Sequence, residues 1–219
     1  MKKKIIGYSL FFIVLVAVFL LFTFWGTDKW KSKSPAIGYV KPFVFTNQNG
    51  ESFTEKNMQG KVCVVNYFFT TCKGICPRMN GNLGDIYQAF KDEKDFMIVS
   101  HTCDPDTDSV SVLKAYSLQW KADDRQWVFL TGRKDSLYNQ ARNSYLLDDP
   151  KNNLANINDQ FLHTQFLALV DKNGYVRGGV YDALKADELK KLKADISTLL
   201  AEKVNNSNFS NNLVSTSPQ

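Results

Sequence analysis

The residues best equipped for chemistry stand together in Thr70-Thr71-Cys72-Lys73-Gly74-Ile75-Cys76-Pro77, directly after an apolar run from Val62 to Phe69. Two thiols four residues apart, where a strand gives way to a helix, share one face of the first helical turn if Cys76-Pro77 opens that helix. Unpaired N–H groups and the dipole at a helix N-terminus favour a thiolate. Thiolate is the form that attacks disulfides and binds soft metal ions. Further along the chain lie His101-Thr102-Cys103-Asp104-Pro105-Asp106-Thr107-Asp108 and an isolated Phe161-Leu162-His163-Thr164. Two thiolates and an imidazole make a compact three-donor set. It suits Cu(I), and the imidazole also accepts Cu(II); zinc fits the same donors but usually takes a fourth in a structural site.

Other uses of these residues are simpler. A Cys72–Cys76 disulfide closes too small a loop to stabilise much, and Cys63 falls inside an apolar strand where packing accounts for it. His101 reads as a polar residue at a strand end. Asp104, Asp106 and Asp108 can open the next helix, where capping and the dipole favour acids.

The elements that must position these groups follow from hydrophobic periodicity. Phe43–Thr46 and Ser52–Thr54 flank the turn Asn47-Gln48-Asn49-Gly50 and form a hairpin. Lys61–Phe69 is a buried strand, and Met79, Leu83, Ile86, Tyr87 and Phe90 mark a helix after the thiols. Strands follow at Phe96–Ser100 and Trp127–Thr131, each with a helix after it: one capped by Asp108 or Ser109 and running to about Trp120, the other from Ser136 to Tyr145. Thr164–Val170 and Tyr175–Tyr181 flank a turn at Asp171-Lys172-Asn173-Gly174, and Leu189, Leu192, Ile196, Leu199 and Leu200 mark a closing amphipathic helix.

This order is that of an α/β thioredoxin-like domain with an added N-terminal β-hairpin. Chemistry in such sheets gathers at the carboxyl ends of parallel strands, which puts Cys72, Cys76 and the His101–Asp104 segment on one rim. Thioredoxin-like oxidoreductases usually have Cys-x-x-Cys and a proline facing the thiols. Here three residues separate the cysteines, and His163 falls where the proline is expected.

Outside the domain, Lys2-Lys3-Lys4 precedes a stretch from Ile5 to Trp25 without a charged residue, long enough to span a bilayer as a helix. No small-residue cleavage pattern ends it, so it reads as one uncleaved transmembrane anchor with the lysines on the cytoplasmic side and the domain exported. The chain therefore divides into residues 1–27 (cytoplasmic lysines and anchor), 28–38 (linker), 39–204 (domain) and 205–219, an Asn- and Ser-rich tail expected to be disordered. Formal net charge is +5, of which Lys2 to Lys4 supply three. With no basic stripe interleaved with aromatics, the remainder argues against a nucleic-acid partner.

Asn66 to Pro77, Asp104-Pro105-x-x-Asp108, and His163 ahead of Phe166-Leu167-Ala168-Leu169-Val170-Asp171 together resemble the SCO/SenC family, with the likeness continuing through Asp171-Lys172-Asn173-Gly174 and Tyr181-Asp182 over about residues 40 to 200. The resemblance implies a thioredoxin-like, membrane-anchored copper protein on the extracytoplasmic (periplasmic) side of the cell membrane. Its partner would be the copper-site subunit of cytochrome c oxidase, whose binuclear site it helps to assemble. It implies Cys72, Cys76 and His163 as copper ligands, and Asp104 and Asp108 as residues that shape their surroundings. Cys103 departs from the family pattern, which has an apolar residue there, and is a possible auxiliary thiol. The competing reading is an extracytoplasmic thiol–disulfide oxidoreductase acting on cysteines of an oxidase subunit.

Overall fold

In the computed structural model of the chain, the described residues are 2–24, 34–121, 123–149, 151, 157, 162 and 164–204. They fall into two compact units, Met1–Ser34 and Pro35–Gln219. The first holds helix α1, Lys2–Phe24, of which Lys4–Phe22, with a mean hydropathy of 2.9, is long and apolar enough to cross a membrane. Residues 205–219, the tail of the sequence reading, lie outside the described residues.

The second unit is built on one eight-stranded sheet. Its strands are β1 (Ala36–Tyr39), β2 (Val44–Asn47), β3 (Ser52–Thr54), β4 (Val62–Phe68), β5 (Phe96–Thr102), β6 (Trp127–Thr131), β7 (Phe166–Val170) and β8 (Tyr175–Asp182), in the spatial order β1-β8-β7-β4-β5-β6-β2-β3. The central strands β4, β5 and β6 are parallel, and β7 runs antiparallel against β4. The helices are α2 (Ile75–Phe90), α3 (Val110–Ser117), α4 (Lys134–Gln140) and α5 (Ala186–Ala201). This is the expected thioredoxin-like arrangement. The added hairpin, β2 and β3, extends the sheet beyond β6.

All seven residues of β4 are buried, as expected of a strand covered on both faces. Val62, Val64 and Phe68 face one side with Leu83 and Ile86 of α2 and Leu192, Ile196 and Leu199 of α5. Cys63, Val65 and Tyr67 face the other with Leu137 and Tyr138 of α4. Each such side chain contributes on the order of 1.5–3 kcal/mol by leaving water. Cys63 is a packing residue, as its place in the strand implied.

Three local features differ from the sequence reading. The sequence reading has no counterpart of β1: Ala36, Gly38 and Tyr39 pair with β8 at the sheet edge, and only that tertiary pairing makes the segment a strand. The helix expected from Ser136 to Tyr145 is α4 followed by a wider π-type turn over Ala141–Tyr145, ended by Leu146 in the left-handed region at φ 58°.

The third concerns His101. β5 runs on to Thr102, so His101 is a core residue and not a strand-end one on the rim. It is fully buried, lies 4.9 Å from the ring of Tyr67 in a stacked pair, and is bordered by Phe43, Phe45 and Tyr145. Neither ring nitrogen has a hydrogen-bond partner among the described residues. Burial pushes its pKa down to about 3, against a slight opposing pull from the backbone of Val99 and Asn66. A base whose folded pKa is depressed keeps its full stability above the unfolded pKa, near 6.5, and loses it as pH falls toward 3, because only the unfolded chain takes up the proton. From pH 7 to pH 5 this single group is expected to cost the fold about 2 kcal/mol. Urea titrations at both pH values should show a drop smaller by that amount in His101→Phe; an equal drop would remove His101 as the cause.

Candidate metal centre

The thiol loop leaves the sheet where the parallel strands β4 and β5 end side by side, with Phe68 paired to Thr102. Its first fixed point is Asp108, whose carboxylate is completely buried. The backbone N–H of Thr70 donates to both carboxylate oxygens at 3.2 and 3.3 Å, and the Thr70 hydroxyl donates to one of them. The Thr102 hydroxyl donates to the other at 2.5 Å. Thr102 Oγ1 in turn accepts the backbone N–H of Asp104 at 2.9 Å. One carboxylate thus ties the exit of β4 to the exit of β5. The Asp104 carbonyl accepts from Asp108 N–H at 2.9 Å and Thr107 N–H at 3.2 Å, so the turn draws on the backbone of Asp104. The helix cap falls to Ser109, which accepts from Val112 N–H at 3.5 Å.

The second fixed point is α2. It starts at Ile75, one residue earlier than Cys76-Pro77 would have set it, so Cys76 lies in its first turn and Cys72 in the loop before it. Gly74 at the cap position has no side chain to satisfy the exposed N–H groups. The Cys72 sulfur lies just before those groups in the chain, and the N–H groups of Gly74, Ile75 and Cys76 and the Cys76 thiol act to lower its pKa.

Beneath the helix a buried polar chain holds α2 to the sheet. Trp127 Nε1 donates to Ser100 Oγ at 2.9 Å, Ser100 to Asn66 Oδ1 at 2.6 Å, Asn66 to Asn80 Oδ1 at 3.3 Å, and Asn80 to the Tyr116 hydroxyl at 2.8 Å. Asn80 is one turn beyond Cys76 on the same helix.

The two thiols differ in character. Burial acts to raise the pKa of the half-buried Cys72, but its hydrogen bonds from the Cys76 thiol and the helix N–H groups outweigh it and leave the pKa lowered. Cys76 is buried, and burial together with donation to Cys72 pushes it up to about 12. Of the two thiols, Cys72 is therefore the more acidic.

Cys103 faces the hydrophobic cluster on the opposite side of the sheet from Cys76. It is 2% exposed, its thiol donates to the Phe68 carbonyl at 3.1 Å, and burial pushes its pKa up. Among the described residues the four cysteines are free, and no three His, Cys, Asp or Glu side chains gather into a group able to hold a metal. His163, the third donor of the sequence reading, lies outside the described residues. Its neighbour Leu162 is buried, with its N–H donating to the Tyr138 hydroxyl at 3.2 Å. Thr70 and Thr102, which carry the clamp on Asp108, had no signal in the sequence beyond their place at strand ends.

The fold and the site define the class: a thioredoxin-like domain with a thiol pair at the start of the helix after its central strand. The pattern of the SCO1/SenC family matches residues 31–200, and the chain belongs to that family. It is 30% identical over 148 residues to the SCO1 protein homolog of Bacillus subtilis (strain 168), covering 66% of this chain and 74% of the relative. Among solved structures it is similar to BsSco, described as a member of the Sco family of cytochrome c oxidase assembly proteins with a disulfide switch, at 26% identity and a TM-score of 0.64, covering 78% of this chain and 98% of BsSco. Its fold is also that of yeast Sco1, solved with copper bound, at 24% identity and a TM-score of 0.57, covering 80% of this chain and 98% of the yeast protein.

Two outcomes follow from the geometry. At neutral pH, timed alkylation of the reduced chain read by mass spectrometry should label Cys72 well before Cys76 and Cys103; equal rates would contradict the asymmetry. Asp108→Ala leaves three buried or half-buried donors without an acceptor and should lower stability by about 3 kcal/mol in denaturant titrations. A loss under about 0.5 kcal/mol would mean that the clamp holds little.

Proposed function

We propose that the protein is a membrane-anchored copper metallochaperone that serves the binuclear copper site of cytochrome c oxidase. One observation carries the reading: two soft donors, Cys72 in the loop before α2 and Cys76 in its first turn, stand together where the parallel strands β4 and β5 end. Copper is the cargo. Cys72 and Cys76 would hold it with His163 as the third ligand, and the Asp108 clamp would keep the thiol loop in place. Helix α1 would be the anchor, crossing the membrane once with Lys2 to Lys4 inside and the domain on the extracytoplasmic side. Membership of the SCO1/SenC family supports both the copper and the oxidase.

A three-donor site suits delivery. A thiolate or imidazole of the partner can join the open position before one carrier sulfur leaves, so the ion is never released to water. Loading requires reduced thiols, since a disulfide has no thiolate to offer.

The asymmetry of the thiols favours one second reading, a thiol–disulfide oxidoreductase. The Cys72 thiolate would attack a partner disulfide, forming a mixed disulfide and expelling one partner thiolate. Cys76, on losing its proton, would then attack the Cys72 sulfur, releasing the second partner thiolate and leaving a Cys72–Cys76 disulfide. The partner gains two electrons and this protein loses them.

The test is copper content of the reduced full-length chain, with Cys72→Ser and His163→Ala alongside, and disulfide turnover measured under a copper chelator. The chaperone reading expects one copper per chain, lost or strongly weakened in both variants. No retained copper together with sustained turnover under chelator would replace it with the oxidoreductase.

A further inference from the structure

Tyr138 lies in α4, on the side of the sheet away from the thiols, and is fully buried. Two cations border its ring: Lys134 Nζ and Arg142 Cζ each lie 5.6 Å from the ring centroid. Arg142 is itself fixed by a buried ion pair, its Nε 2.7 Å from Asp148 Oδ2. Such a ring has little freedom, so its hydroxyl is a fixed point within the core.

That hydroxyl makes two bonds. It donates to the Cys103 carbonyl at 2.8 Å and accepts the backbone N–H of Leu162 at 3.2 Å. Cys103 is bonded to the exit of β4, its N–H donating to the Phe68 carbonyl at 2.8 Å and its thiol to the same oxygen at 3.1 Å. The sequence of contacts therefore runs from Leu162 through the Tyr138 hydroxyl and Cys103 to Phe68, four residues before Cys72. Leu162 is also anchored by its side chain, 2% exposed within the core. Beyond it, Phe166 N–H donates to Thr164 Oγ1 at 3.1 Å and Ala183 N–H to the Gln165 carbonyl at 3.0 Å. The residue between Leu162 and Thr164 is His163.

We propose that Tyr138 is a positioning residue for the metal site: through Leu162 it fixes the backbone entering His163 relative to the strand end that carries the thiols. The inference rests on the reading of His163 as the third copper ligand. Tyr138 would touch no metal. Its effect would be to spare the imidazole a search for its place once two sulfurs have taken hold of copper. Groups that orient a ligand without binding the metal commonly change affinity about 10–100-fold when lost.

Tyr138→Phe removes the hydroxyl and keeps the ring. Cu(I) affinity is measured on the full-length chain in detergent by competition with a chromophoric chelator, for Tyr138→Phe, His163→Ala and the double variant. The expected result is a loss of about tenfold in Tyr138→Phe, a larger loss in His163→Ala, and no further loss when Tyr138→Phe is added to His163→Ala. Wild-type affinity in Tyr138→Phe overturns the proposal. So does a tenfold loss that persists in the His163→Ala background, since Tyr138 would then act on the thiols or on the fold at large. Wild-type affinity in His163→Ala defeats the assignment of His163 itself, and the positioning role with it. If Tyr138→Phe does not fold, amide hydrogen exchange of the wild-type chain decides: the Leu162 N–H is expected to exchange as slowly as the amides of β4, and exchange at the rate of an open amide overturns the proposal.

Discussion

The site depends on one buried carboxylate. Asp108 gathers the N–H and hydroxyl of Thr70 and the hydroxyl of Thr102, so the ends of two parallel strands are bound to a single group. A carboxylate withdrawn from water is stable only with its oxygens fully served by donors. Satisfying it therefore dictates where the chain after Phe69 can go. From that point the loop has few residues before α2 begins at Ile75, and Cys72 lies among them.

The same arrangement makes the two thiols unequal, and the inequality is functional in either reading. In metal binding, Cys72, the more acidic thiol, would give up its proton more readily than Cys76. In exchange, Cys72 is the attacking group and Cys76 the resolving one. In this member of the SCO1/SenC family both cysteines are free. On the opposite face of the sheet, hydrogen bonds of the Tyr138 hydroxyl join α4 to Cys103, just after β5, and to Leu162.

Much of this was legible in the sequence. The run Val62-Cys63-Val64-Val65 and the step into Thr70–Pro77 are enough to place a buried strand ahead of a thiol helix, and Val128 to Thr131 has the β-branched and aromatic content of its neighbour. The strand order and the pairing of β1 were not legible, since Ala36–Tyr39 becomes a strand only by meeting β8. His101 carries a signal in the sequence: Met97, Val99 and His101 share one parity along β5, and parity assigns them all to the core face opposite α2. The clamp on Asp108 had none, because Thr70 and Thr102 are separated by a helix and a strand, and their convergence belongs to the register of β4 on β5.

The most direct test of the account is the coordination of copper itself. X-ray absorption at the copper edge of the reduced, Cu(I)-loaded full-length chain is expected to show two sulfur scatterers and one nitrogen scatterer per metal. Copper bound without sulfur, or with sulfur from neighbouring chains and no nitrogen, would contradict a site made by Cys72, Cys76 and His163.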